Sequence, residues 1–354
     1  MEILLEELYK TDIYVEKFHF RKLFLDNLSY QINGITQSGK TKIVKNYLLG
    51  LKKSSYLYIN CKDLRIDIDA LNSTLQDFCT HNQITTLVLD DYKQEIKIFN
   101  VPQLIICCEV HYKIDFLQTL RLYPLDYEEF LAYEHKYDSS ALNHFFQLGG
   151  FAFMHKVNSD ERVFYLQKAL KSALEEKELE ILIFCAKMMT QKVSPYSIYE
   201  RLKQTQKISK DKLYKSFDEL CEKGYIHQMQ KADHPKAIRK IYLCDVSLKS
   251  ALTIEKHFGR LFENMIYLEL LKSGKDCFYD DGIDFYIPKE SEVILATPFA
   301  DERALFKKIE AIESFIIRYQ IKKITAVTMS KEGSVNHPFS HVEMVPFDIW
   351  ALGD

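Results

Sequence analysis

The sequence predicts a multidomain α/β protein, and three observations predict it. A strand-like run, "LSYQIN", leads through a glycine-bounded octet into the helical run "TKIVKNYLLGLKK". Further buried-strand runs, "SSYLYIN", "TTLVLDD" and "QLIICC", follow it, so strands and helices are expected to alternate through about residue 125. Beyond that the chain reads first as helices and then as a second mixed segment. Its 354 residues allow two or three domains with buried cores. Hydrophobic residues make up 47% and charged residues 27%, an ordinary globular balance, and the formal net charge of -3 excludes a polycation. Any nucleic-acid contact would need a local basic patch. Eight scattered cysteines, with one adjacent pair (Cys107, Cys108) and no Cys-x-x-Cys, suit buried free thiols in a reducing cytoplasm. The N-terminus carries acids where a signal peptide needs bases, and no apolar run reaches the roughly 18 residues of a membrane span. The expectation is a cytoplasmic protein with no membrane partner.

The octet, "GITQSGKT", matches the phosphate-loop pattern G-x-x-x-x-G-K-[ST] in full. Such a loop leaves a strand and enters a helix so that backbone N–H groups and the helix dipole converge on phosphates. Ile43, Val44, Tyr47, Leu48 and Leu51 keep helical spacing after it, and Leu28, Tyr30 and Ile32 alternate before it. That strand is less apolar than a central parallel strand usually is. Gly34, Thr36, Gln37, Ser38, Gly39, Lys40 and Thr41 are the candidate nucleotide-binding set. Lys40 would reach the β- and γ-phosphates of ATP, and the Thr41 hydroxyl would ligate Mg2+. The plainer alternative is a turn capping a helix, with Lys40 solvated. "TTLVLDD" supplies a second signal. Ligands of open parallel sheets sit beyond the carboxyl ends of the strands, which puts Asp90 toward the metal and Asp91 toward the attacking water.

With "LYPLDYEEFLAYE", "QLGGFA", "FGRLFENMIYLELLKSG", "DGIDFYIP" and the ending "VPFDIWAL", these motifs resemble the bacterial and archaeal AAA+-type ATPases that carry an N-terminal P-loop domain and a C-terminal domain of unassigned function. Pro124, Leu125, Glu129 and Phe130 match the family's Pro-Leu-Ser-x-x-Glu-Phe segment. The resemblance implies a P-loop domain over 1–125, a helical lid over 126–176 and a restriction-endonuclease-like α/β domain over 247–354. It also exposes two departures. The family's strand usually ends in Asp-Glu, whereas Asp91 stands here, and a shift of 1 Å at such a position can cost about a hundredfold in rate. The next strand commonly ends in a small polar residue, whereas Cys107 and Cys108, weak donors, stand here. Slow ATP hydrolysis, or nucleotide binding without turnover, is the resulting expectation. Arg121 lies where the family often carries a basic residue, and a solvated strand-end arginine is the alternative.

Between lid and C-terminal domain, 177–246 reads as a winged helix-turn-helix. "ELEILIFCAKMMTQ" and "SPYSIYERLKQT" give two helices, the second with Ser194 capping and Pro195 in its first turn. The third, in "SKDKLYKSFDELCEKGYIHQMQ", has Leu213, Phe217 and Leu220 on one face and ends at Gly224. A DNA-binding reading sends this helix into the major groove of duplex DNA with Lys210, Lys212 and Lys215, and makes "KADHPKAIRK" the wing. Asp211, Asp218, Glu219 and Glu222 largely cancel those lysines, and interdomain packing is the alternative.

Restriction-type nucleases need a helix acid, a strand-end Asp and a Glu-x-Lys on the next strand. Glu263 and Asp284 fall where the resemblance puts the first two. "SEVILATPF" supplies neither acid nor lysine at Ile294, Ala296 or Thr297, and the next basic residues after it are Arg303 and Lys307, in the following helix. The nuclease set is incomplete, and the pair reads as structural. "DERALFKKIEAIESFIIRYQ" predicts one amphipathic helix with Leu305, Ile309, Ile312, Phe315 and Ile316 on one side, followed by the strand "KITAVTM". His337, His341 and Glu343 read as a solvated loop without ligand spacing, and Trp350 as core or interface packing. Four functions remain in play: a slow Mg2+-dependent ATPase, a nucleotide switch acting through a protein partner or homo-oligomer, a nuclease, and a DNA-binding regulator.

Overall fold

The computed structural model describes residues 1–16, 20–135, 137, 140–204 and 207–353. The chain divides into two compact units, Met1–Pro124 with Glu222–Gly224, and Leu125–Cys221 with the chain from Tyr225 on.

The first unit runs α1 (Glu2–Lys10), β1 (Tyr30–Asn33), α2 (Lys40–Leu49), β2 (Tyr56–Asn60), α3 (Ile68–His81), β3 (Thr86–Asp90), β4 (Gln103–Cys108) and β5 (Gln118–Arg121). Its five strands are all parallel, in the order β2-β3-β4-β1-β5. Every residue of β3 and β4 is buried, as their unbroken apolar runs require of strands covered on both faces. Asp67 caps α3 through the Ala70 N–H, and Leu71, Leu75, Phe78 and Cys79 form its buried stripe.

Two expectations fail here. β1 does not alternate: it lies between β4 and β5 with all four residues buried, and Leu28 is outside it and exposed. Its polar residues are satisfied internally. Gln31 Nε2 donates to Asn33 Oδ1 (2.8 Å) and lies against His111 Nδ1, and Asn33 Nδ2 donates to Val110 O (2.8 Å). A central strand can thus carry amides when an adjoining segment pairs them. Nor does strand–helix alternation persist to residue 125, since no helix separates β3, β4 and β5. The β3–β4 connection is held by α3 instead: Asn72 bonds Glu95 O and Lys97 N, and Gln76 bonds Asn100 O and Asn100 N.

The second unit begins with α4 (Tyr127–Glu134), α5 (Ala141–Leu148), α6 (Arg162–Ala173), α7 (Glu176–Lys187), α8 (Pro195–Leu202) and α9 (Lys210–Lys223). The hairpin β6 (Ile226–Met229) and β7 (Lys240–Leu243) follows, then α10 (Ser247–Leu252) and α11 (Phe258–Lys272). Asp126 and Glu129 form a capping box on α4, and Ser194 caps α8 with Pro195 in its first turn. Thr205, the end of the expected second helix, lies outside the described residues. "QLGGFA" has a packing reason. Gly149, at φ +67°, faces the Asp245 carboxylate where a Cβ would lie 2.0 Å from Oδ1, and the Gly150 N–H donates to Asp245 Oδ2 (2.6 Å).

The chain ends with β8 (Phe278–Asp280), β9 (Ile283–Ile287), β10 (Glu292–Ala296), α12 (Glu302–Ala311), α13 (Glu313–Tyr319), β11 (Lys323–Thr328), β12 (Gly333–Val335), β13 (His341–Pro346) and α14 (Phe347–Leu352). These six strands form one mixed sheet, β12-β13-β11-β10-β9-β8, parallel only at β10–β11 and β11–β13. The single amphipathic helix expected over 301–320 is two, broken at Ile312 (φ -112°, ψ 11°), although all five predicted apolar residues are buried. His341 and Glu343 are likewise not in a loop but on β13, where Glu343 pairs with Lys323 (2.7 Å). Trp350 is partly buried against the core beside Phe347. All eight cysteines are free, six of them buried.

Candidate functional site

The predicted octet connects β1 directly to α2. Gly34 admits no side chain: a Cβ would lie 2.5 Å from Leu122 O and 2.7 Å from Ser38 Oγ. Gln37 (φ +65°, exposed) and Gly39 (φ +101°) take left-handed conformations that turn the chain into the helix. Thr36 is half-buried, and no side chain caps α2. Lys40, only 7% exposed, folds back so that Nζ donates to Gly34 O (2.5 Å) and Ile35 O (3.0 Å). Ser38 Oγ is buried and has no hydrogen-bond partner among the described residues. A helix N-terminus without a capping side chain, an unpartnered buried hydroxyl and a buried ammonium together suit an anionic ligand.

Asp90 ends β3 and is 1% exposed. Its Oδ2 accepts from Thr41 Oγ1 (2.6 Å) and from the Tyr58 hydroxyl (2.7 Å), and its Oδ1 from the Asp91 N–H (3.1 Å). The Cys107 thiol also bonds it, and burial pushes that thiol well above its ordinary range. Burial first, then the Asp90 charge, raises the Tyr58 phenol, so Tyr58 remains a donor. The Lys45 ammonium sits 5.0 Å from the centre of its ring. Thr41 and Asp90 offer the hydroxyl and carboxylate that a Mg2+ bound chiefly by phosphates and water would use. Among the described residues no group of three or more His, Cys, Asp or Glu is arranged to hold a metal.

Asp91 lies beyond the strand at φ +55°, and its Oδ1 accepts from Lys62 Nζ (2.8 Å). Arg21 braces the loop from outside: Nη1 donates to Ser38 O (3.0 Å) and Nη2 to Tyr123 O (2.7 Å). The sequence reading did not find Tyr58, Lys62 or Arg21. Only Tyr58 had a signal, because aligning "SSYLYIN" with "TTLVLDD" as neighbouring parallel strands sets it two residues from Asn60, the partner of Asp90. Arg121 ends β5 and is exposed.

In the second unit the nuclease-candidate acids do come together, but with lysines. Glu263 Oε1, on α11, accepts from Lys240 Nζ (2.9 Å) and the Tyr242 hydroxyl (2.9 Å) of β7. Asp284, on β9, lies 3.9 Å from Lys240 Nζ, and its Oδ2 accepts from Lys308 Nζ (3.0 Å) and the Ala296 N–H (2.9 Å). Lys240 comes from the β6–β7 hairpin and Lys308 from α12, the helix after β10, so neither falls at the Glu-x-Lys spacing on the strand. Burial raises the Glu263 pKa, with Lys240 opposing. The lysines of α9 are also engaged. Lys212 pairs with Glu175 (2.8 Å), Lys215 with Glu219 (3.7 Å), and Lys210 lies over the Tyr196 and Tyr214 rings. In the expected wing, Lys231 pairs with Asp280 and Asp281, and the backbone of Gln230 and Ala232 bonds Tyr279.

No helix among the described residues is long and apolar enough to cross a membrane. No protein-family model matches the chain. It is 22% identical over 386 aligned positions to the uncharacterised protein MJ1544 of Methanocaldococcus jannaschii, covering 91% of this chain and 87% of that one. Among solved structures it is similar to the Aeropyrum pernix ORC1 protein determined in complex with DNA, at 12% identity and a TM-score of 0.30, over 64% of this chain and 86% of that one. At that score the likeness transfers no residue or role. The chain is a mixed α/β protein whose first unit has a parallel sheet with a glycine-bounded turn between β1 and α2.

Proposed function

We propose that the protein binds ATP with Mg2+ at Gly34, Thr36, Gln37, Ser38, Gly39, Lys40 and Thr41 and hydrolyses it slowly. The observation that carries this reading is the 2.6 Å contact of Thr41 Oγ1 with Asp90 Oδ2. Two residues far apart in sequence, each expected to serve one cation, meet beside a phosphate-loop turn. On this reading, Lys40 leaves the loop carbonyls for the phosphates, the loop N–H groups receive anionic oxygens, and Thr41 and Asp90 hold Mg2+. Mg2+ would supply neutralisation of phosphate charge. The fold of the first unit contributes orientation, since all five strands end toward the loop side of a parallel sheet.

The Lys62–Asp91 pair favours a second reading, a nucleotide switch that acts through a protein partner with little turnover. In the second unit, the lysine-paired acids favour a structural ion cluster over a nuclease centre, and the ion pairs of Lys212, Lys215 and Lys231 favour packing over duplex binding by a winged helix. Steady-state phosphate release from ATP and Mg2+, wild type against Lys40→Ala, separates the first two readings. Turnover lost in the variant supports an ATPase. Wild-type release equal to the variant's, with ATP still bound, supports the switch.

A further inference from the structure

We infer that Glu109, the first residue beyond β4, is the carboxylate that takes the proton from the water attacking the γ-phosphate, in place of Asp91; this rests on the nucleotide reading above. β4 is the strand between β3, which carries Asp90, and β1, which carries the phosphate loop. In a parallel sheet the carboxyl end of such a strand opens into the crevice that receives the ligand. Two backbone hydrogen bonds fix that end on both sides. Cys107 O accepts from the N–H of Tyr92, one residue past Asp91 (2.8 Å), and Cys108 O accepts from the N–H of Gly34, the first residue of the loop (3.1 Å). The next residue in the chain is Glu109.

The electrostatics agree with this placement. Burial raises the pKa of Glu109, Lys40, Lys62 and Lys223 oppose that shift, and Asp91 adds to it. The Glu109 carboxylate is therefore within the field of the phosphate-loop lysine. Its raised pKa makes it a better proton acceptor than an exposed glutamate, because general-base efficiency rises as the pKa approaches the working pH. Asp91 is differently placed. It is one methylene shorter, stands in a left-handed turn and is occupied by Lys62 at 2.8 Å. In the step itself, the water oxygen bonds to the γ-phosphorus and the P–O bond to the β-phosphate breaks. ADP leaves with that electron pair, and the water proton passes to Glu109 and then to solvent.

The test compares wild type, Glu109→Gln, Glu109→Asp, Asp91→Asn and Lys40→Ala, using a fluorescent ATP analogue for Kd and phosphate release for kcat. Expected for Glu109→Gln is a Kd within about threefold of wild type and a kcat at least about 100-fold lower, the usual scale of general-base loss. Asp91→Asn should lose less than that, and Glu109→Asp should retain turnover with the acid limb of its pH–kcat profile displaced. A smaller loss in Glu109→Gln, an equal or larger loss in Asp91→Asn, or loss of ATP binding in Glu109→Gln would overturn the assignment. So would bound ATP with wild-type turnover no higher than that of Lys40→Ala. Failure of the wild type to bind the analogue would overturn the nucleotide reading, and this assignment with it.

Discussion

Replacing Lys240 by methionine removes the ammonium that lies within reach of both Glu263 and Asp284 while keeping a side chain of similar length. Lys240 and Glu263 are 13% and 12% exposed and 2.9 Å apart, so the variant leaves a nearly buried carboxylate with Tyr242 as its remaining donor. Breaking a buried pair from one side costs about 3–5 kcal/mol. At about 2–4 °C per kcal/mol for a unit of this size, the second unit should melt about 6–20 °C lower. The pH dependence is specific. The folded-state pKa of Glu263 is raised, chiefly by burial, so the native state keeps this proton to a higher pH than the unfolded chain does. For an acid with a raised folded pKa, stability is greater below its unfolded value and declines as pH rises through the folded value. Removing Lys240 raises that pKa further. The loss should therefore be larger at pH 8 than at pH 5, and adding Glu263→Gln should recover much of it. Thermal unfolding followed by circular dichroism at both pH values reads these outcomes. A loss below about 1 kcal/mol, or one equal at the two pH values, would refute a buried charge cluster.

Three further outcomes follow from the geometry. Tyr58→Phe deletes a donor that orients Asp90, and the Mg2+ concentration needed for half-maximal nucleotide binding should rise at least about tenfold, read by fluorescence titration. Arg21→Met removes two charge-assisted bonds, one to the loop at Ser38 O and one to Tyr123 O, and at about 1.5–3 kcal/mol for such a bond the Kd for ATP should rise about tenfold or more. Gly149→Ala places a methyl 2.0 Å from Asp245 Oδ1 at φ +67°, so the second unit should lose at least about 1–2 kcal/mol in thermal unfolding from the backbone conformation alone.

The phosphate loop was legible because its chemistry is local: eight consecutive residues carry the turn, the charge and the hydroxyl, and apolar runs mark the strand and helix around them. Asp90 was legible for the same reason, as the acid closing an unbroken apolar strand. What surrounds them was not, because it arrives across the sheet. Tyr58 reaches Asp90 from the neighbouring strand, Lys62 reaches Asp91 from the loop after it, and Arg21 comes from a segment with no periodicity. The polar β1 is a similar case. Gln31 and Asn33 appear out of place in a central strand until His111 and Val110 supply their partners. In the second unit, most helix and strand types followed from periodicity, whereas β13 at His341 and Glu343 reads as a loop in the sequence and the break at Ile312 was hidden because its apolar spacing continues unbroken through both helices.

The central claim is that the loop of 34–41 holds a nucleoside triphosphate, and equilibrium binding tests it most directly. Titrating a fluorescent ATP analogue with Mg2+ into wild type and Lys40→Ala should give saturable binding for the first and at least about tenfold weaker binding for the second, since Lys40 is the ammonium available to the phosphates. Equal affinity in the two proteins, or no saturable binding in the wild type, would contradict it.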